Sequence, residues 1–270
     1  MLHPSKILKQ LGISPLKMFG QNFQVDTHVV ANAAVHIPAD AVILEIGPGL
    51  GAWTEIFLAR GHRMVLVEKD RSLAERLRQN YTAPQVVVME GDFLEVDVTK
   101  PPISDCTAVV GNLPFYITSE LLLRITGECP QIEHGLFGVQ LEVAERLAAG
   151  RGSSLAIALS AIGEIRMTGK ISRHSFYPPP NVDAALLSFA RKPGRSRPHL
   201  RLLLKAAFWG KRKALGTALK KNPFWDKEPV SAGWAPRLAA LPPALEELMK
   251  RRADDLSAAD FCALYDYLCA

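Results

Sequence analysis

The stretch Ala41-Val42-Ile43-Leu44-Glu45-Ile46-Gly47-Pro48-Gly49-Leu50-Gly51 decides the fold. Its first six residues are a short aliphatic, β-branched run that predicts a buried strand, and the glycines and proline after them predict a tight turn. A helix is expected from Trp53 to Arg60, so the turn delivers the strand into a helix N-terminus with its unpaired N–H groups. The same alternation continues downstream. Strands are predicted at Arg63–Glu68, Gln85–Met89, Thr107–Gly111 and Leu136–Val139. Between and after them come a helix at Ser72–Asn80 that Asp70 can cap, one starting near Thr118, and one at Glu142–Ala149. Near-continuous apolar strands alternating with helices require a parallel sheet covered on both faces, an open α/β fold.

The pattern changes after residue 150. Ala184–Phe189 reads as one more strand, close to the sheet edge, and Pro193-Gly194-Arg195-Ser196-Arg197-Pro198 reads as a linker. From Leu200 to Ala270 only helical periodicity remains, interrupted by prolines. Two domains are therefore expected, residues 1–193 and residues 194–270. Charge divides the same way. Residues 1–190 hold 16 basic and 19 acidic side chains, whereas residues 191–270 hold 16 basic and 8 acidic. Within the latter, residues 191–221 carry 11 Lys and Arg and no Asp or Glu, the asymmetry expected of a module that binds a polyanion.

Composition excludes other classes. With 48% hydrophobic and 22% charged residues, the 270-residue chain is neither disordered nor a disulfide-stapled miniprotein. Cys106, Cys129, Cys262 and Cys269 form no CxxC pair and have no histidine at ligand spacing, so free thiols and no metal are expected. No apolar run approaches the roughly 20 residues that span a bilayer. A soluble cytoplasmic protein without a membrane partner is the expectation.

The chemistry-bearing residues fall at successive strand ends. The Gly47 turn lets backbone approach a ligand closely, and Glu68, at the end of the next strand, is placed to accept both hydroxyls of a ribose. This pairing satisfies a dinucleotide fingerprint and fits a nucleoside-sulfonium cofactor equally well. Glu45 favours the second, because a carboxylate suits a cationic methionyl group and not a pyrophosphate. Asp92, in Gly91-Asp92-Phe93, can accept from an adenine amine beside an aromatic ring. After the fourth strand comes Asn112-Leu113-Pro114-Phe115. The Asn112 side-chain oxygen and the Leu113 carbonyl can accept the two protons of one exocyclic amine, Pro114 fixes the turn, and Phe115 offers a face for a base.

These segments, with five others in order, make the chain resemble the S-adenosylmethionine-dependent ribosomal RNA adenine N6-dimethyltransferases, and within them the small-subunit branch. Phe19-Gly20-Gln21-Asn22-Phe23 matches the family's F-G-Q-N-F, and Glu45 to Gly51 its E-I-G-P-G-x-G turn. Val139 to Arg146 is similar to V-Q-K-E-V-A-x-R, and Phe176 to Asp183 to F-x-P-P-P-x-V-D. Phe208 to Lys213 is close to F-x-x-R-R-K, and Arg252 to Ser257 to R-A-E-D-L-S. Gln24, Phe115, Tyr116 and Leu141 stand where the family usually has Leu, Tyr, Asn and Lys.

The resemblance implies a Rossmann-like methyltransferase fold, mostly parallel with an antiparallel edge strand, plus a small all-helical C-terminal domain. It implies that Asn22, Gly47, Glu68, Asp92 and Asn112 contact S-adenosylmethionine, with Gln24 contributing through its backbone. Asn112, Leu113, Pro114 and Phe115 would hold the target adenine, with Phe176 closing on its other side. Lys211, Arg212 and Lys213 would hold rRNA phosphates. The implied substrate is two adjacent adenosines near the 3′ end of 16S rRNA on the immature 30S subunit, and nothing in the sequence demands more than a monomer. Two rivals share these motifs: a large-subunit adenine methyltransferase that confers antibiotic resistance, and a non-catalytic RNA-binding assembly factor.

Overall fold

The structure, a computed structural model, describes residues 3–12, 20–194, 197, 199–210, 212–225, 230 and 233–270. It divides into two compact units, Met1–Ala144 with Arg166–Arg191, and Glu145–Ile165 with Lys192–Ala270. The division is discontinuous, in contrast to the single cut expected at 193/194.

The first unit is built on the predicted alternation. In chain order come α1 (Pro4–Leu11), β1 (Phe23–Gln24), α2 (His28–Ala33), β2 (Val42–Ile46), α3 (Ala52–Ala59), β3 (Arg63–Glu68), α4 (Arg71–Asn80) and β4 (Val86–Glu90). They are followed by β5 (Ala108–Asn112), α5 (Thr118–Glu128), β6 (His134–Gln140) and α6 (Leu141–Ala148). After α7 (Ser154–Ile162) the chain returns to this unit through β7 (Gly163–Ile171), β8 (Phe176–Tyr177) and β9 (Ala184–Arg191). The sheet order is β4-β3-β2-β5-β6-β9-β7, with the first five strands parallel and β9 antiparallel to β6. Chain order reverses between β2 and β5, which opens a crevice beyond the carboxyl ends of those two strands. Asp70 caps α4 as expected, accepting from the N–H groups of Ser72 and Leu73.

The antiparallel strand β9 lies close to the sheet edge as expected, with β7, a strand that the sequence reading does not include, outside it. In β7, the sequence Gly-Glu-Ile-Arg-Met-Thr-Gly-Lys-Ile carries three charges and two glycines over nine residues. Such composition hides a strand from period-two reading, yet it suits an exposed edge that must not recruit further strands. Apart from the main sheet, β1 pairs antiparallel with β8, Gln24 opposite Phe176.

The second unit gathers α7 with α8 (Leu200–Trp209), α9 (Leu215–Lys220), α10 (Trp234–Ala239), α11 (Pro243–Leu248) and α12 (Ala258–Cys269). Helix α7 reads Ser-Leu-Ala-Ile-Ala-Leu-Ser-Ala-Ile, apolar almost all round, so it is buried rather than laid on a surface. Its Ile157 and Ala161 join Leu203, Trp234, Phe261 and Leu264 in the core of the helical unit. This burial places residues 145–165 with the C-terminal helices. Helix α12 opens with a capping box, in which Ser257 and Asp260 satisfy each other's backbone N–H groups.

Candidate functional site in the first unit

A cleft opens at the crevice between β2 and β5, lined by the Gly47 turn, the ends of β3 and β5, the loop after β4 and the segment before β1. Its floor begins with the turn. Gly47, Gly49 and Gly51 all adopt positive φ, at 65°, 59° and 86°. A Cβ on Gly49 would sit 3.2 Å from the Phe23 ring, so side chains are excluded there by both conformation and space.

Two buried carboxylates lie under the turn. Glu45, 2% exposed, accepts from Thr54 Oγ1 at 2.6 Å. Burial pushes its carboxyl up to about 8; the Thr54 hydrogen bond opposes this and the like charge of Glu68 adds to it. Glu68 accepts from the Gly49 and Asp70 backbone N–H groups, each at 2.9 Å, one on each oxygen. Burial raises its carboxyl as well, and those N–H groups hold it back. Each carboxylate oxygen can accept twice, so Glu68 is fixed in position by backbone and keeps acceptor capacity.

Asp92 sits at the end of the β4 loop and is engaged by Lys69 Nζ at 2.6 Å and by the Leu94 N–H at 2.9 Å. Burial works to raise its pKa, but Lys69 and that N–H outweigh it and leave the carboxyl below its ordinary range. The partnership with Lys69 is absent from the sequence reading. Its one signal in the sequence is that Lys69 directly follows Glu68 at a strand end, which does not name Asp92 as its partner.

Asn112 closes β5. Its Nδ2 donates to the Asn22 carbonyl at 3.1 Å, and its Oδ1 is buried with no hydrogen-bond partner among the described residues. The amide is therefore oriented by a residue 90 positions earlier, and its acceptor end is left over. Asn22 thus acts here through its backbone carbonyl, while its own side chain returns to the Gly20 carbonyl. Leu113 N–H donates to the Gly138 carbonyl at 2.9 Å, extending the β5–β6 register through the turn. The Pro114 carbonyl accepts from Thr118 Oγ1 and the Ile117 N–H, which ties the turn to α5. Phe115 is half-buried at the cleft and packs on the main core.

Gln24 also borders the cleft, but its side chain is buried, accepting from Trp53 Nε1 at 2.7 Å and donating to the Asp26 carbonyl at 2.8 Å. Phe176 differs from its expected place. It is 3% exposed inside the main apolar core and does not line the cleft, because pairing with Gln24 sets β8 down on that core. Arg212 and Lys213 lie on the helical unit, both exposed, with Lys213 Nζ 4.7 Å over the Trp209 ring. Lys211 and Phe19 lie outside the described residues. Among the described residues no cluster of three metal-ligating side chains forms, and no helix is long and apolar enough to cross a membrane.

Comparison with known proteins points one way. The chain is 34% identical to the ribosomal RNA small subunit methyltransferase A of Thermobifida fusca, over 97% of this chain and 93% of that protein. It is 31% identical to the protein of the same name from Myxococcus xanthus, again over 97% and 93%. Among solved structures, a dimethyladenosine transferase from Plasmodium falciparum shares the fold with a TM-score of 0.71 at 21% identity, covering 90% of this chain and 95% of that one. The 23S rRNA methyltransferase ErmE aligns with a TM-score of 0.66 at 25% identity, over 92% and 100%. Residues 15–228 match the ribosomal RNA adenine dimethylase family, and the chain belongs to it.

Proposed function

We propose that this chain transfers methyl groups from S-adenosylmethionine to N6 of two adjacent adenosines near the 3′ end of small-subunit rRNA, acting in the cytoplasm as a monomer on the immature 30S subunit. The observation that carries this reading is Asn112, whose buried Oδ1 lacks a partner among the described residues while Nδ2 is tied to the Asn22 carbonyl. A buried acceptor left unpaired costs about 1–3 kcal/mol, and a donor arriving from substrate relieves that cost. An exocyclic amine is such a donor.

The residues of the cleft fit the cofactor. The Gly47 turn leaves room for a ligand backed by the N-terminus of α3, Glu68 has acceptor capacity for a ribose, and Asp92 sits where an adenine amine would be read. Glu45 borders the same cleft, and a cationic methionyl group beside it would draw its raised carboxyl toward the charged form. When bound, S-adenosylmethionine supplies an electrophilic methyl. The chain's own part is to grip and aim the nucleophile. Asn112 Oδ1 and the Leu113 carbonyl accept the two amine protons and draw the nitrogen lone pair out of conjugation with the ring. Phe115 gives the base a stacking surface, a contact worth about 1–3 kcal/mol. The target base leaves its stack to enter, and the aminium cation formed when N6 takes the methyl is acidic enough to shed its extra proton to water. Rate enhancement comes mainly from proximity and orientation. Arg212 and Lys213, with Lys211, hold rRNA phosphates and so supply affinity and position rather than choice of atom.

The reading is tested with Asn112→Ala assayed beside wild type on under-methylated small subunits. Losing one preorganised acceptor is expected to lower turnover about 10²–10³-fold while cofactor affinity falls only modestly. Wild-type turnover in the variant would remove Asn112 from its role.

A further inference from the structure

The aromatic ring best placed to meet RNA at the rim of the cleft is one that the reading above leaves unused. Phe23, Trp53 and Phe93 are buried, Phe115 is half-buried against the core, and Phe176 is inside it. Tyr116, the residue after Phe115, lines the mouth of the same cleft and is 55% exposed. Among the described residues, it and Trp209 of the helical unit are the exposed large aromatics. The Tyr116 ring is braced on one side. Gly20, at φ 60°, approaches so closely that a Cβ there would meet Tyr116 Cδ1 at 3.2 Å, with Pro114 Cβ 3.8 Å from the same point. Its hydroxyl makes no hydrogen bond among the described residues. Lys69, an electrostatic neighbour of Tyr116, keeps half of its side chain exposed beside it.

We propose that Tyr116 is a second stacking platform, which takes the nucleobase adjacent to the target adenine while Phe115 serves the target itself. This rests on the adenine N6-methyltransferase reading. The occupant follows from chemistry. A rigidly backed, exposed π face beside an ammonium group matches an unpaired base with its flanking phosphate, and single-stranded RNA is gripped by such stacking. Because two neighbouring adenosines are to be methylated, the platform holds one while the pocket holds the other.

The test uses the full chain and under-methylated small subunits. Tyr116→Ala is expected to weaken subunit affinity about 5- to 150-fold, while S-adenosylmethionine affinity stays within about twofold of wild type. Tyr116→Phe, which keeps the ring and loses the hydroxyl, regains most of the subunit affinity. A photo-crosslinking phenylalanine analogue placed at position 116 is expected to label the rRNA nucleotide next to the methylated pair or within it. Unchanged affinity in Tyr116→Ala, an equal loss in Tyr116→Phe, or crosslinks to a ribosomal protein would each overturn the proposal. Failure of wild type to form N6-methylated adenosine would instead remove the reading on which it rests, and that result is read separately from subunit affinity.

Discussion

At the scale of single residues, the cleft stores electrostatic free energy in Glu45. Its folded-state carboxyl sits at about 8 against an ordinary 4.5, because burial disfavours the charged form. Between those two values the folded chain holds a proton that the unfolded chain has released. Stability therefore falls as pH rises through that window, the opposite of a carboxylate held low by a cation. Glu45→Gln removes the titration while keeping an oxygen for Thr54 Oγ1. Its melting temperature is expected to depend less steeply on pH between about 5 and about 8, and to exceed wild type above about pH 8. Thermal melts across that range check it; parallel wild-type and variant curves would show that Glu45 does not titrate there. The placement of Glu68, Asp92 and Asn112 at the cleft was legible because each follows or ends a recognisable strand, and that of Glu45 because it leads into the glycine turn. The holder of the Asn112 amide was not legible as such, since a bond between Asn112 Nδ2 and the Asn22 carbonyl depends on how distant segments meet. Lys69 on Asp92 and Trp53 on Gln24 escaped for the same reason.

At the scale of elements, the site depends on how closely β5 lies to β2. A Cβ on Gly111 would stand 2.6 Å from the Ile46 carbonyl oxygen, which is strand backbone and cannot swing aside. Gly111→Ala thus pushes β5 off β2 between Asn112 and the Gly47 turn. Overpacking of this kind costs about 1–3 kcal/mol, so a fall in melting temperature of roughly 2–10 °C is expected, together with weaker cofactor binding. Gly127→Ala in α5 is the contrast, because nothing lies within 4 Å of a Cβ there. It is expected to hold or raise the melting temperature, and calorimetry of both variants distinguishes crowding from a general glycine effect. The strands that build this contact were readable from their apolar runs. The edge strand β7 was not, because its charges serve solvent exposure rather than core alternation. Phe176 was expected beside the target base only through the resemblance of its proline-rich motif, and β1–β8 pairing buries the ring in the core instead.

At the scale of the whole molecule, the cleft and the excess of basic charge fall in different parts of the chain. The first unit carries the cleft, and the C-terminal 80 residues carry 16 of the 32 basic side chains with only 8 of the 27 acidic ones. That division was legible in the charge pattern alone. Its true boundary was not, because α7 belongs by packing to a helical core that is otherwise contributed by the distant C-terminal segment. Chemistry on a neutral base needs no net positive charge, whereas docking on rRNA does. The central claim is a product. Incubation of the purified chain with radiolabelled S-adenosylmethionine and small subunits from a methylation-deficient strain, then digestion to nucleosides, is predicted to yield N6,N6-dimethyladenosine from two adjacent positions near the 3′ end of small-subunit rRNA. Label confined to large subunits, or label absent from adenosine, would contradict it.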